Sequence, residues 1–141
     1  MMFRLEQDLG FLLARTYRAM RRRLMSQLEP LGVTYSQFRV LNALREQDNV
    51  PQVALASRVA THKASLTRML ERMERSGLVS REGDPDDSRI QRVSLTEKGR
   101  RVQGRVIPFR DQILDAAVEG LDEEEVKELE RLLNHIYDNV R

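Results

Sequence analysis

Apolar residues recur at Leu5, Leu9, Leu12, Leu13, Tyr17, Met20, Leu24 and Leu28, three or four positions apart, the pattern of one long helix with a single apolar face. Pro30 and Gly32 stop it. The next apolar group, Phe38, Val40, Leu41 and Leu44, follows a start signal: Thr34 and Gln37 have the spacing of a capping box, and Val33 and Phe38 can close a hydrophobic staple. Pro51 suits the first turn of a short third helix over residues 51–59, with Val53, Leu55, Ala56 and Val59 available for packing. Ala60 and Thr61 make a brief turn. A fourth helix is predicted over residues 62–76, with Thr61 as its N-cap, Leu66, Met69, Leu70 and Met73 inward, and Gly77 as its C-cap glycine.

After Gly77 the period changes from helical to alternating. Residues 78–81 and 90–95 read as strands across a Gly/Asp/Pro turn, with Val93 and Leu95 set against Arg92 and Ser94. The result is a two-stranded wing. Thr96 can cap a fifth helix through Val102, Val106, Phe109, Ile113, Leu114 and Val118, but Pro108 lies in its interior, where it removes a hydrogen bond and clashes with the preceding turn. A kink over residues 104–108, or two shorter helices, is expected. Asp122 and Glu125 form a second capping box, and a sixth helix carries the stripe Val126, Leu129, Leu133, Ile136, Tyr137 and Val140. The fold class is mainly α with a small β-hairpin wing (α+β). Its expected divisions are residues 1–33, 34–98 and 99–141.

An apolar content of 40% in 141 residues suffices for a core. Arginines at 4, 15, 18 and 21–23 surround only a short apolar run over residues 11–14, so neither a signal peptide nor a membrane span is expected, and the protein is placed in the cytoplasm. The absence of cysteine excludes disulfides, thiolate nucleophiles and thiol-based sensing. The net charge of +2 conceals an asymmetry: +3 over residues 1–57, +6 over 58–110 and −7 over 111–141. The basic middle segment calls for a polyanion, whereas the acidic end is poorly suited to nucleic acid.

Two helices joined by a tight turn have the shape of a helix-turn-helix. Such a motif presents the N-terminal half of its second helix to base edges, here Thr61, His62, Lys63, Ser65, Thr67 and Arg68. Arg68 or Lys63 could address guanine, Ser65 and Thr67 bases or phosphates, and the Ala64 methyl thymine. His62 suits a phosphate or a base edge, or is a surface histidine without a role. Arg72 suits a phosphate contact or an ion pair with Glu71 or Glu74, as does Arg75. Asp84 and Pro85 favour a turn, and Asp87 stands two residues from Arg89, on one side of an extended strand, where a carboxylate can hold a guanidinium in a fixed pose. Arg92 completes the wing's basic set. Paired carboxylates at 86–87 and 123–125 have no histidine nearby in sequence, and no phosphate loop, catalytic triad or zinc spacing occurs. No enzyme activity, cofactor or metal is expected.

The stretch HKASLTRMLERMERSGLVSREGDPDDSRIQRVSLTEKGR resembles the winged helix-turn-helix of the MarR (multiple antibiotic resistance regulator) family of transcription regulators, over residues 34–101. Arg68, Met73-Glu74, Gly77-Leu78-Val79, the wing pattern Asp87-x-Arg89-x-x-x-Val93-x-Leu95-Thr96 and Glu97-Lys98-Gly99 carry the likeness. The resemblance implies a repressor-type homodimer on double-stranded DNA, its N- and C-terminal helices serving dimerisation and its wing arginine, Arg89, entering the minor groove. Terminal stripes too long to be covered by a small domain support dimerisation independently. The resemblance also implies a small aromatic or anionic effector between the dimerisation helices and the DNA-binding lobe; by position its candidates are Arg15, Arg18, Tyr35, Phe38 and Arg39. A second reading is an architectural or adaptor protein whose terminal helices hold another protein while the winged helix touches DNA weakly.

Overall fold

The computed structural model describes residues 4–141. Asp8 opens the first helix, α1 (Leu9–Leu28), by accepting the Phe11 amide at 2.7 Å. Leu5 belongs instead to a separate 3-10 turn, Leu5–Gln7. The stripe is therefore split, because the Asp8 carboxylate satisfies an amide that has no partner within the helix. A 3-10 turn over Glu29–Leu31 and Gly32 in the left-handed region (φ 70°) end this segment. The Thr34 and Gln37 capping box forms as expected, at 3.0 and 3.1 Å, and starts α2 (Tyr35–Ala43).

The predicted strands shift to residues 79–83 and 91–95, and two helix starts move. The third helix, α3 (Gln52–Arg58), begins after Pro51, because Val50–Pro51 is a strand, β1. The fourth helix, α4 (Lys63–Arg75), has His62 at the N-cap position with no side-chain cap bond, in place of Thr61. Ala60 takes a left-handed conformation (φ 49°) and the Thr61 amide bonds back to the Ala56 carbonyl at 3.2 Å. Thr61 thereby closes α3 rather than opening α4.

The wing strands β2 (Val79–Gly83) and β3 (Gln91–Leu95) pair antiparallel, Val79 opposite Leu95 and Gly83 opposite Gln91. β1 adds to the other edge of β3, Val50 opposite Val93, so the sheet has three strands in the order β1-β3-β2. Two residues ending in proline show no alternation to read, and an edge strand is where a residue without an N–H is tolerated.

Thr96 caps α5 (Glu97–Ala117) through the Gly99 amide at 3.0 Å. A Cβ on Gly99 would stand 2.0 Å from the Leu78 carbonyl oxygen, which explains glycine in the Glu97-Lys98-Gly99 motif: only a bare backbone lets α5 start against the head of the wing. Of the two expected outcomes, two shorter helices do not form: α5 is a single helix that runs through Pro108. The carbonyl left without its donor is that of Gly104, which is exposed and has nothing beside its Cβ position, so water can reach it. Buried Val106 and Ile107 hold the middle of the helix in the core.

Leu28, Leu41, Leu55, Leu66, Leu70, Met73, Val93 and Val106 are fully buried, joining α1 to α5 and the sheet in one core. The last helix, α6 (Glu123–Val140), starts from the expected Asp122 and Glu125 capping box but buries none of its residues. Leu129, Leu132, Leu133, Tyr137 and Val140 stay exposed along it.

Candidate nucleic-acid interface

Burial of Leu66, Leu70 and Met73 fixes one side of α4 to the core and turns the other outward. His62, Lys63, Ala64, Arg68, Arg72 and Arg75 occupy the outward side. Ser65 is half-buried at its edge, and Thr61 is half-buried in the preceding turn. Thr67 is committed elsewhere: its hydroxyl donates to the Lys63 carbonyl and accepts from the Gln52 side-chain amide, both at 2.9 Å, so it fastens α4 to α3. Among the described residues Arg68, Arg72 and Arg75 form no ion pair. Glu74, an anticipated partner for Arg72 and Arg75, binds Arg81 of β2 at 2.6 Å instead. The basic face of α4 keeps its charge.

The turn between β2 and β3 is built by its aspartates. Asp84 accepts the amides of Asp86 (2.8 Å) and Asp87 (3.2 Å) and a guanidinium N–H of Arg92 (3.0 Å). These bonds, the Asp86 amide first, hold its carboxyl below the usual range. Arg92 also donates twice to Asn49, at 2.9 and 2.7 Å, and its side chain is only 28% exposed. Arg92 is thus a buckle between the wing and the loop before β1.

Arg89 contrasts with it. Its side chain is 89% exposed, yet both Nε and one terminal N–H donate to the two oxygens of Asp87 at 3.0 Å. The Arg89 side chain is the foremost cause that lowers the Asp87 pKa, followed by the Arg89 backbone amide. A charge-assisted, two-point grip removes rotamer freedom from an arginine that projects into solvent. A cleft of about 300 Å³ runs between α3, the start of α4 and this wing, with Lys63 and Arg89 at its rim and no carboxylate in its lining.

A second cleft, about 150 Å³, lies between α1, α2 and α5. Tyr35 and Phe38 line it; Tyr17, Met20, Arg21, Asn42, Arg110 and Ile113 join them from positions that sequence spacing does not connect. Tyr17 donates to the Tyr35 hydroxyl at 2.7 Å and Arg21 stacks 4.2 Å over the Tyr35 ring. Burial, the largest cause, pushes the Tyr35 phenol up to about 12. Arg39 borders an adjoining groove but is tied to the Val59 and Ala60 carbonyls. Arg15 and Arg18 lie outside both: Arg15 sits over Phe11, and Arg18 bonds to the Ala14 carbonyl of its own helix.

A sequence profile of the MarR family matches residues 33–91. The transcriptional regulator HosA of Escherichia coli O111:H- is 38% identical over 99 residues, covering 70% of this chain and 73% of that protein. A crystal structure of a mutant MarR from E. coli complexed with operator DNA superimposes with a TM-score of 0.80 at 30% identity, over 91% of this chain and 92% of that one. CouR from Rhodococcus jostii RHA1, bound to p-coumaroyl-CoA, gives a TM-score of 0.86 at 27% identity, over 96% and 95%. With its outward basic helix, its arginine-tipped wing and these relatives, the chain belongs to the MarR family of transcriptional regulators.

Proposed function

We propose that the protein is a repressor that binds a pseudo-palindromic DNA operator as a homodimer in the cytoplasm, and that a small aromatic or anionic effector in the α1, α2 and α5 cleft alters this binding. The observation that carries the reading is the Arg89 and Asp87 pair: an exposed cation in the turn of the wing, held at two points by a carboxylate that would itself repel phosphate. A narrow A·T-rich minor groove attracts such an arginine through its enhanced negative potential. His62, Lys63, Arg68 and the Ala64 methyl then face base edges in the major groove, Arg72 and Arg75 reach phosphates, and Thr61 and Ser65 border the contact. Thr67 and Arg92 serve by positioning. Residues 34–98 would bind DNA, and residues 1–33 and 99–141 would pair two copies.

Support for pairing comes from α6, whose apolar stripe the described residues leave largely exposed. The operator-bound MarR and the p-coumaroyl-CoA-bound CouR are among the solved relatives in line with the DNA and effector readings. Selection of bound duplexes from a random pool tests the function. A palindromic motif, bound at least ~10³-fold more tightly than random duplex and several-fold less tightly by Arg89→Ala, is the expected result. Failure to enrich any motif would instead favour the adaptor role.

A further inference from the structure

We propose that Arg81, a residue with no direct part in the DNA contact, is a positioning residue for operator recognition, because it locks the wing to the recognition helix. The inference rests on the DNA-binding reading and extends it. Alternation along β2 puts Arg81 on the same face as buried Val79, toward the helices rather than toward solvent. Its side chain is 19% exposed, and it closes on Glu74 of α4 through Nε at 2.7 Å and a terminal N–H at 2.6 Å. Its remaining terminal nitrogen reaches toward the Gln52 side-chain oxygen of α3 at 3.4 Å. Gln52 in turn donates to the Thr67 hydroxyl, and Thr67 to the Lys63 carbonyl.

One guanidinium on a wing strand is thereby connected to both ends of the recognition helix, directly at Glu74 and through Gln52 near Lys63. A half-buried ion pair is a poor source of stability, since desolvation offsets most of its attraction, and an apolar pair would pack as well. What the pair supplies is direction. Base readout by α4 in a major groove and insertion of Arg89 in the neighbouring minor groove must occur together, so the angle between helix and wing has to be held before DNA arrives. Arg81 and Glu74 span that angle.

The test compares operator and random duplex for the native homodimer, Arg81→Met, and the exchanged pair Arg81→Glu with Glu74→Arg, each alone and combined with Arg89→Ala. Circular dichroism establishes that each variant is folded. Arg81→Met should weaken operator binding about tenfold while leaving random-duplex affinity and its salt dependence unchanged, because no phosphate contact is lost. In the Arg81→Met background Arg89→Ala should cost less than it does in the native protein, since an unlocked wing no longer places Arg89; the exchanged pair should restore both quantities. Equal losses on operator and random duplex, an undiminished Arg89 penalty, or no rescue by the exchanged pair overturns the positioning role. A native protein without operator preference overturns the regulator reading along with it, whereas a native preference that survives Arg81→Met overturns this inference alone.

Discussion

At the scale of single residues, identical side chains acquire different duties from where their donors are spent. Arg89 and Arg92 are three positions apart, but Arg92 is enclosed by Asp84 and Asn49 while Arg89 has one partner and open solvent beyond it. Asp87→Asn should therefore weaken operator binding several-fold without altering stability appreciably, measured by fluorescence anisotropy. The pH dependence follows from the lowered pKa of Asp87. A depressed carboxylate contributes above its ordinary pKa and loses that contribution only as pH falls through the depressed value. The effect of Asp87→Asn should thus be equal at mildly acidic and mildly basic pH; a penalty that vanished in mild acid would sink the assignment. Gly99 offers a stability counterpart. Gly99→Ala forces a methyl into the Leu78 carbonyl and should destabilise by about 1–3 kcal/mol or more, read from urea unfolding. Its motif was visible in the sequence, but the reason for it was not, because Leu78 and Gly99 are 21 positions apart and meet only in the fold.

Capping chemistry and packing decide the elements in different proportions. Thr34 with Gln37, Thr96 and Asp122 with Glu125 all cap the helices they were expected to cap, because a cap is a contact between residues three apart and needs no tertiary information. Thr61 failed as a cap where Ala60 adopted a left-handed turn, and β1 went unread because a two-residue strand is created by its neighbour β3. Pro108 is the clearest case of packing over propensity. Proline disfavours a helix interior by about 3 kcal/mol relative to alanine, yet α5 continues because Val106 and Ile107 are buried beside it. Pro108→Ala should accordingly raise stability by about 1–3 kcal/mol with the helix content unchanged, measured by denaturation at fixed protein concentration.

For the whole molecule the decisive feature is a helix whose apolar side the described residues leave largely exposed. An α6 with no buried residue supports the proposed pairing of two chains, and on that reading Leu133→Asp should shift sedimentation from dimer to monomer and abolish operator binding, since one half-site contact cannot replace two. The order of the six helices and the wing hairpin, the basic middle with its acidic end, and the Asp87 and Arg89 spacing were all legible in the sequence, because periodicity, composition and short-range motifs are local properties of a chain. Tertiary structure alone decided which cations stay free and which are consumed: Arg92 on Asn49, Arg39 on the Val59 carbonyl, Arg81 on Glu74. It alone gathered Tyr17, Arg21, Asn42 and Arg110 around Tyr35 and left Arg15 and Arg18 outside. These outcomes depend on distances between residues far apart in the chain, and a side chain's availability is a property of its neighbours in space, which spacing along the sequence does not encode.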